Sequence, residues 1–108
     1  MMNNPTHPGE ILKSELTEGY GLTIEAAAKN LGVCRATLSR VFNKRTAVST
    51  DLAYRLELAG VGTAKFWLDV QTNYDLAQKI NDKENQPRVV SFQNLQLKAH
   101  SPGLKHVL

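Results

Sequence analysis

Apolar residues recur through residues 7–82 at i, i+3, i+4 and i+7, the spacing that lays one stripe along an α-helix. The first stripe is Ile11, Leu12 and Leu16. It is opened by His7-Pro8-Gly9-Glu10, with proline at the first helical position and an acid in the first turn, and closed by Gly19 and Gly21. The second is Ile24, Ala27, Ala28 and Leu31, with Thr23 as N-cap and Gly32 as terminator; Leu22, just before the cap, staples the helix or fills the core beneath it. Cys34, Leu38, Val41 and Phe42 make the third. Leu52, Ala53, Leu56 and Ala59 make the fourth, capped by Ser49 or Thr50 and ended by Gly60 and Gly62. Thr63 caps the fifth, along which Phe66, Trp67, Val70, Tyr74, Ala77 and Ile80 recur as far as about Asp82. The predicted fold is all-α, with five helices in residues 1–82.

Residues 23–43 are the centre of this pattern. Two short amphipathic helices meet at a tight Leu31-Gly32-Val33 turn, which is the outline of a helix-turn-helix. At about 100° per residue, Ala36, Ser39, Arg40 and Asn43 point away from the apolar stripe of the second helix, with Arg35 and Thr37 on its flanks. That helix is apolar inside and short, polar and cationic outside.

Charge sharpens the picture through its distribution, since the net value is only +3. Residues 1–82 carry nine basic and nine acidic side chains, yet no acid lies between Glu25 and Asp51, where Lys29, Arg35, Arg40, Lys44 and Arg45 all fall. A local basic patch on a balanced background is the footprint of a phosphate-neutralising surface. The aromatic residues Phe66, Trp67 and Tyr74 follow the helical period as core or subunit interface rather than a ligand box, and because the fifth helix carries more apolar surface than one small core needs, Phe66, Trp67, Val70 and Tyr74 are the first choice for a subunit interface.

Residues 83–108 form a C-terminal extension of different character. After the polar break Lys83-Glu84-Asn85-Gln86-Pro87, the run Arg88-Val89-Val90-Ser91-Phe92 has the composition of a short strand. Five such residues make no stable sheet alone, so the expectation is either that the strand pairs with a partner chain or that the tail is mobile in isolation. Val89, Val90, Phe92, Leu95 and Leu97 all need cover.

Other classes find little support. One cysteine permits no intramolecular disulfide, no apolar run approaches the length of a membrane helix, and the N-terminus has no hydrophobic signal region, so a cytoplasmic protein is expected. His7, His100 and His106 lie near no second ligand or nucleophile at a useful spacing, and no phosphate-binding glycine loop or nucleophile elbow is present. No enzymatic activity, cofactor or metal is expected.

The runs HPGEILKSEL from His7, LGVCRATLSRVFNKR from Leu31, TDLAYRLELAG from Thr50 and TAKFWLDVQTNYDL from Thr63 together resemble the HigA family of antitoxins, within the lambda-repressor-like helix-turn-helix class. The resemblance covers residues 7–77. It implies a homodimer that binds a palindromic operator at its own promoter and neutralises a HigB-like toxin, an mRNA endonuclease. It further implies that Arg35, Ala36, Thr37, Ser39 and Arg40 read bases, while Thr23, Asn43, Lys44 and Arg45 hold phosphates. Three positions depart from the family pattern. Ile24 replaces a polar phosphate contact, Cys34 replaces a Ser or Thr cap, and Lys44 stands where glycine is usual, so Asn43 or a strained Lys44 must make the exit turn. Cys34 is expected to be a small, half-buried packing residue. Two other readings use the same residues: a stand-alone repressor without a toxin, and a protein-interaction module that no longer binds DNA, against which the basic patch argues.

Overall fold

Four of the five helices start on a side chain that accepts a hydrogen bond from the first turn, which is why they start where they do. In the computed structural model, which describes residues 4–94, α1 is Pro8–Lys13, α2 Ile24–Leu31, α3 Arg35–Phe42, α4 Thr50–Leu58 and α5 Ala64–Asn81. His7 Nδ1 accepts from the Gly9 N–H at 2.8 Å, Thr23 Oγ1 from Ala26 at 3.1 Å, Ser49 Oγ from Leu52 at 3.1 Å and Thr63 Oγ1 from Phe66 at 3.0 Å. The start of α3 alone lacks such a cap, because its N-cap residue is Cys34.

The glycine-containing ends follow the expected pattern, with one addition. Gly32 adopts φ 72° and ends α2 in the left-handed conformation. Beyond Lys13 the first helix widens into a π-helical turn, Ser14–Gly19, in which the Tyr20 N–H reaches back five residues to the Glu15 carbonyl at 2.9 Å. The wider turn keeps Leu16 in the core.

The core lies between α1, α2, α3, α4 and the first half of α5, around Leu12, Leu38, Leu56 and Trp67, none more than 2% exposed, with Ala27, Ala28 and Leu31 of α2 closing it. Trp67 also donates its indole N–H to the Val61 carbonyl at 2.7 Å, so the turn between α4 and α5 is tied to the helix it introduces. Where α1 meets α3 the backbones touch. A Cβ on Gly9 would fall 1.8 Å from the Val41 carbonyl oxygen, so only glycine fits at this crossing.

Several expectations change. Cys34 is exposed rather than half-buried, because as the N-cap it sits outside the helix whose stripe it was expected to share. Ala59 and Ile80 lie outside the core, the first because α4 has already ended and the second because α5 outruns the other helices. Two polar residues are buried instead: His7 against Tyr74, and Gln71, whose Oε1 accepts the Val48 N–H at 2.7 Å and anchors the loop before α4. Residues 88–91 lie in neither helix nor strand, and Phe92–Asn94 form one 3₁₀ turn; among the described residues there is no strand for them to pair with. Leu95, Leu97, His100 and His106 lie outside the described residues. Among the described residues no helix is long and apolar enough to cross a membrane.

Candidate nucleic-acid interface

The outer face of α3 is built by burying its inner one. Leu38, Val41 and Phe42 are in the core, which leaves Arg35, Ala36 and Arg40 exposed and Thr37 and Ser39 half-buried on the rim. Thr23, Asn43, Lys44 and Arg45 are exposed around them. All nine are thus accessible, on α3, at the start of α2 and at the exit of α3, and Asn43 Nδ2 donates to Ser39 Oγ at 3.4 Å.

Three long-range contacts set the orientation of this surface, and none has a periodic signature in the sequence. Gly9 presses the start of α1 onto the Val41 carbonyl, near the C-terminal end of α3. Arg55 on α4 donates from Nη1 to the Leu31 and Gly32 carbonyls at 3.0 and 3.2 Å, while its Nε binds Asp51 Oδ2 at 2.8 Å. It thereby satisfies the carbonyl end of α2 and holds the turn of the helix-turn-helix. Glu10 on α1 pairs with Lys44 at 2.9 Å.

The Glu10–Lys44 pair bears on the phosphate assignment. Lys44 adopts φ 63°, the strained alternative for the exit turn, while Asn43 at φ −93° does not enter the left-handed region. Its hydrogen bond to Glu10 raises the ammonium pKa and holds the Glu10 carboxyl below the usual carboxylate range. Lys44 can meet a phosphate only by giving up or sharing that carboxylate. Glu25 stands 3.9 Å from Arg35, whereas Lys29, Arg40 and Arg45 have no ion-pair partner among the described residues. The cationic face is thus carried by Arg40 and Arg45, with Arg35 and Lys44 partly neutralised at its edges.

At the start of α3, Cys34 Sγ lies 3.1 Å from Thr37 Oγ1, and hydrogen bonding to Thr37 holds the thiol below its ordinary pKa. Of the proposed subunit-interface residues, Trp67 is wholly committed to the protomer's own core. Val70 and Tyr74 are half-buried, and only Phe66 is substantially exposed. Among the described residues no three His, Cys, Asp or Glu side chains converge as a metal site would require.

No protein-family model matches the chain. Curated relatives do. The chain is 44% identical over 78 residues to virulence-associated protein A' of Dichelobacter nodosus, covering 71% of this chain and 67% of that one. It is 34% identical over 86 residues to antitoxin HigA-1 of Vibrio cholerae, covering 80% and 81%. Among solved structures, the Pseudomonas aeruginosa antitoxin HigA with the higBA promoter superposes with a TM-score of 0.66 at 30% identity, over 80% of this chain and all of that one. The capped five-helix core, the Gly32 turn and these relatives converge: the chain belongs to the HigA family of antitoxins, within the lambda-repressor-like helix-turn-helix class.

Proposed function

We propose that this protein is an antitoxin and autorepressor that binds a palindromic operator as a homodimer and neutralises a HigB-type mRNA endonuclease toxin. The observation that carries the DNA half is the outer face of α3, where Arg40 and Ala36 stand exposed on a helix whose other side is locked in the core. Two such helices, about 34 Å apart on one side of the duplex, read successive major grooves. Arg40 and Arg35 suit bidentate contact with guanine, and Ala36 and the Thr37 methyl suit the thymine methyl group. Thr23, Asn43, Lys44 and Arg45 hold the flanking phosphates and set the register. Support for the toxin half comes from family membership alone.

The test separates base reading from phosphate binding. Arg40→Ala is expected to cost about 1–3 kcal/mol on operator DNA and little on random DNA. Arg45→Ala should weaken both alike and lower the salt slope by about 1. Lys44→Ala should have the smaller effect of the two loop variants, because the pair with Glu10 already neutralises Lys44. Unchanged binding by Arg40→Ala and Arg45→Ala would overturn the assigned surface. For the toxin, co-expression with the product of the adjoining gene decides: a stable complex that suppresses RNA cleavage supports the antitoxin reading, and no such partner leaves a stand-alone repressor.

A further inference from the structure

Glu10 and Lys44 are brought face to face by the backbone on either side of them. The Val41 carbonyl near the end of α3 accepts the Lys44 N–H at 3.0 Å, and it is the same carbonyl against which Gly9 of α1 is pressed. The Arg45 and Thr46 N–H groups reach the Arg40 carbonyl at 2.8 and 3.3 Å, which fixes the rest of the exit turn. Lys44 therefore leaves α3 at φ 63°, a conformation glycine takes more readily, and its ammonium meets the Glu10 carboxylate at 2.9 Å. Most exposed ion pairs lose much of their value to the ordering of two long side chains. Here the crossing of α1 and α3 places both ends beforehand. The two side chains are still 48% and 49% exposed, so the ammonium stays within reach of a molecule docking on α3.

We propose that Glu10 occupies Lys44 in place of a DNA phosphate and so restrains the affinity of the helix-turn-helix for all DNA, operator and random sequence alike. The proposal rests on the phosphate role given to Lys44 above and brings a residue of α1 into the control of binding. A carboxylate and a phosphate offer the same ammonium the same kind of charged acceptor, so they compete. When DNA displaces Glu10, Lys44 exchanges one anion for another, and the freed carboxylate is left facing a polyanion. A lysine without such a partner instead displaces a counterion condensed on the DNA, and one contact of that kind is worth roughly 8-fold in affinity at about 0.1 M salt. Glu10 withholds that gain. Phosphate contacts carry no sequence information, so the restraint falls on every site equally and leaves discrimination to the outward face of α3. Glu25 is less suited to this role, since it stands 3.9 Å from Arg35.

Fluorescence anisotropy tests this by measuring binding of the full chain to a random-sequence duplex and to the duplex upstream of its own gene, from about 50 to 200 mM salt. Glu10→Gln keeps the size of the side chain and removes its charge. It is expected to tighten binding to both duplexes by roughly 5- to 10-fold per bound protomer at about 0.1 M salt, and to steepen the salt slope by about 0.9. Damage to the fold would weaken binding instead, and circular dichroism checks that the helices are retained.

Two comparisons separate the pair from a general loss of negative charge. Glu18 lies on the π-helical turn that continues α1 and accepts a hydrogen bond from Ser14. Glu18→Gln should tighten binding less than about 2-fold, because an exposed charge away from the DNA is screened by salt. In a Lys44→Gln background, Glu10→Gln should also gain less than about 2-fold, since no ammonium is left to free. Unchanged affinity and slope in Glu10→Gln overturn the proposal, and so does a gain that Glu18→Gln matches or that survives in the Lys44→Gln background. If Arg40→Ala and Arg45→Ala still weaken binding as expected, only the role of Glu10 falls; if neither does, the DNA-binding surface falls with it.

Discussion

Trp67 and Ile80 lie on the same helix, at positions that the same apolar periodicity selects, and their surroundings are opposite. Trp67 is 2% exposed, covered by the rest of the chain and hydrogen-bonded through its indole to the Val61 carbonyl; Ile80 is 54% exposed. The difference is one of reach. At 18 residues, α5 is about 27 Å long and twice as long as α4; burial along it extends through Tyr74, against His7, to Ala77, and ends before Ile80. The described molecule measures 60 × 32 × 23 Å. A helical period identifies a stripe that needs cover, but the identity of the cover depends on how far the neighbouring elements extend. The closed region specifies the fold, and the open one leaves apolar side chains in contact with solvent.

This contrast is broken or sharpened by stability measurements made at protein concentrations low enough to keep the chain monomeric. The largest loss is expected from Trp67→Ala, about 3–5 kcal/mol in urea denaturation, as for other buried aromatics. Ile80→Ala and Phe92→Ala should stay within about 0.5 kcal/mol of the wild type. A loss at Ile80 comparable with that at Trp67 would show that the end of α5 is covered within the monomer, and the contrast would fail. Gly9→Ala comes next. Its Cβ would meet the backbone of α3 rather than a flexible side chain, so α1 and α3 must separate, at about 1–3 kcal/mol.

A smaller effect is expected from pH. Burial holds His7 below its ordinary pKa, against the opposing pull of Asp75 and Glu10, while Nδ1 must stay unprotonated to cap α1. The folded state therefore binds the proton less readily than the unfolded chain. This contribution is complete above the ordinary histidine pKa of about 6.5 and is lost as pH falls below that value and through the folded one. Thermal denaturation between pH 8 and pH 5 should show it, and His7→Asn, which keeps a capping oxygen, should flatten that part of the profile. An unchanged profile would remove His7 as its source. Smallest is Lys44→Gly, which exchanges a strained φ for a relaxed one and loses only an exposed ion pair. It should raise Tm slightly; a clear fall would mean that the Glu10–Lys44 pair outweighs the strain.

Much of the architecture was legible because it is local. Thr23, Ser49 and Thr63 cap the helices they precede, and Gly32 turns the chain between α2 and α3, since a side-chain cap or a left-handed glycine acts within a few residues of itself. The outward face of α3 was legible for the same reason, because angular position on a helix follows from residue spacing. Other parts depend on residues 23 to 34 apart: Arg55 on the Leu31 and Gly32 carbonyls, Gln71 on the Val48 N–H, Glu10 on Lys44 and Gly9 on the Val41 carbonyl. No periodicity encodes such pairs. His7 shows the boundary, since its place before Pro8 marks a helix start, while its burial against Tyr74 arises only when α1 and α5 meet.

By itself, the order of residues determined that the described residues would form five α-helices, that α2 and α3 would meet at a glycine turn, and which side of α3 would stay polar. These outcomes follow from caps, glycine conformations and a 3.6-residue repeat, each acting over one or two turns. Only the tertiary structure decided that Trp67 belongs to the core, that Lys44 is engaged by Glu10 while Arg40 and Arg45 have no acidic partner among the described residues, and that the apolar residues from Leu76 to Phe92 are left open. Burial and charge pairing are properties of surfaces brought together, and which surfaces meet is set by the lengths and crossings of the helices.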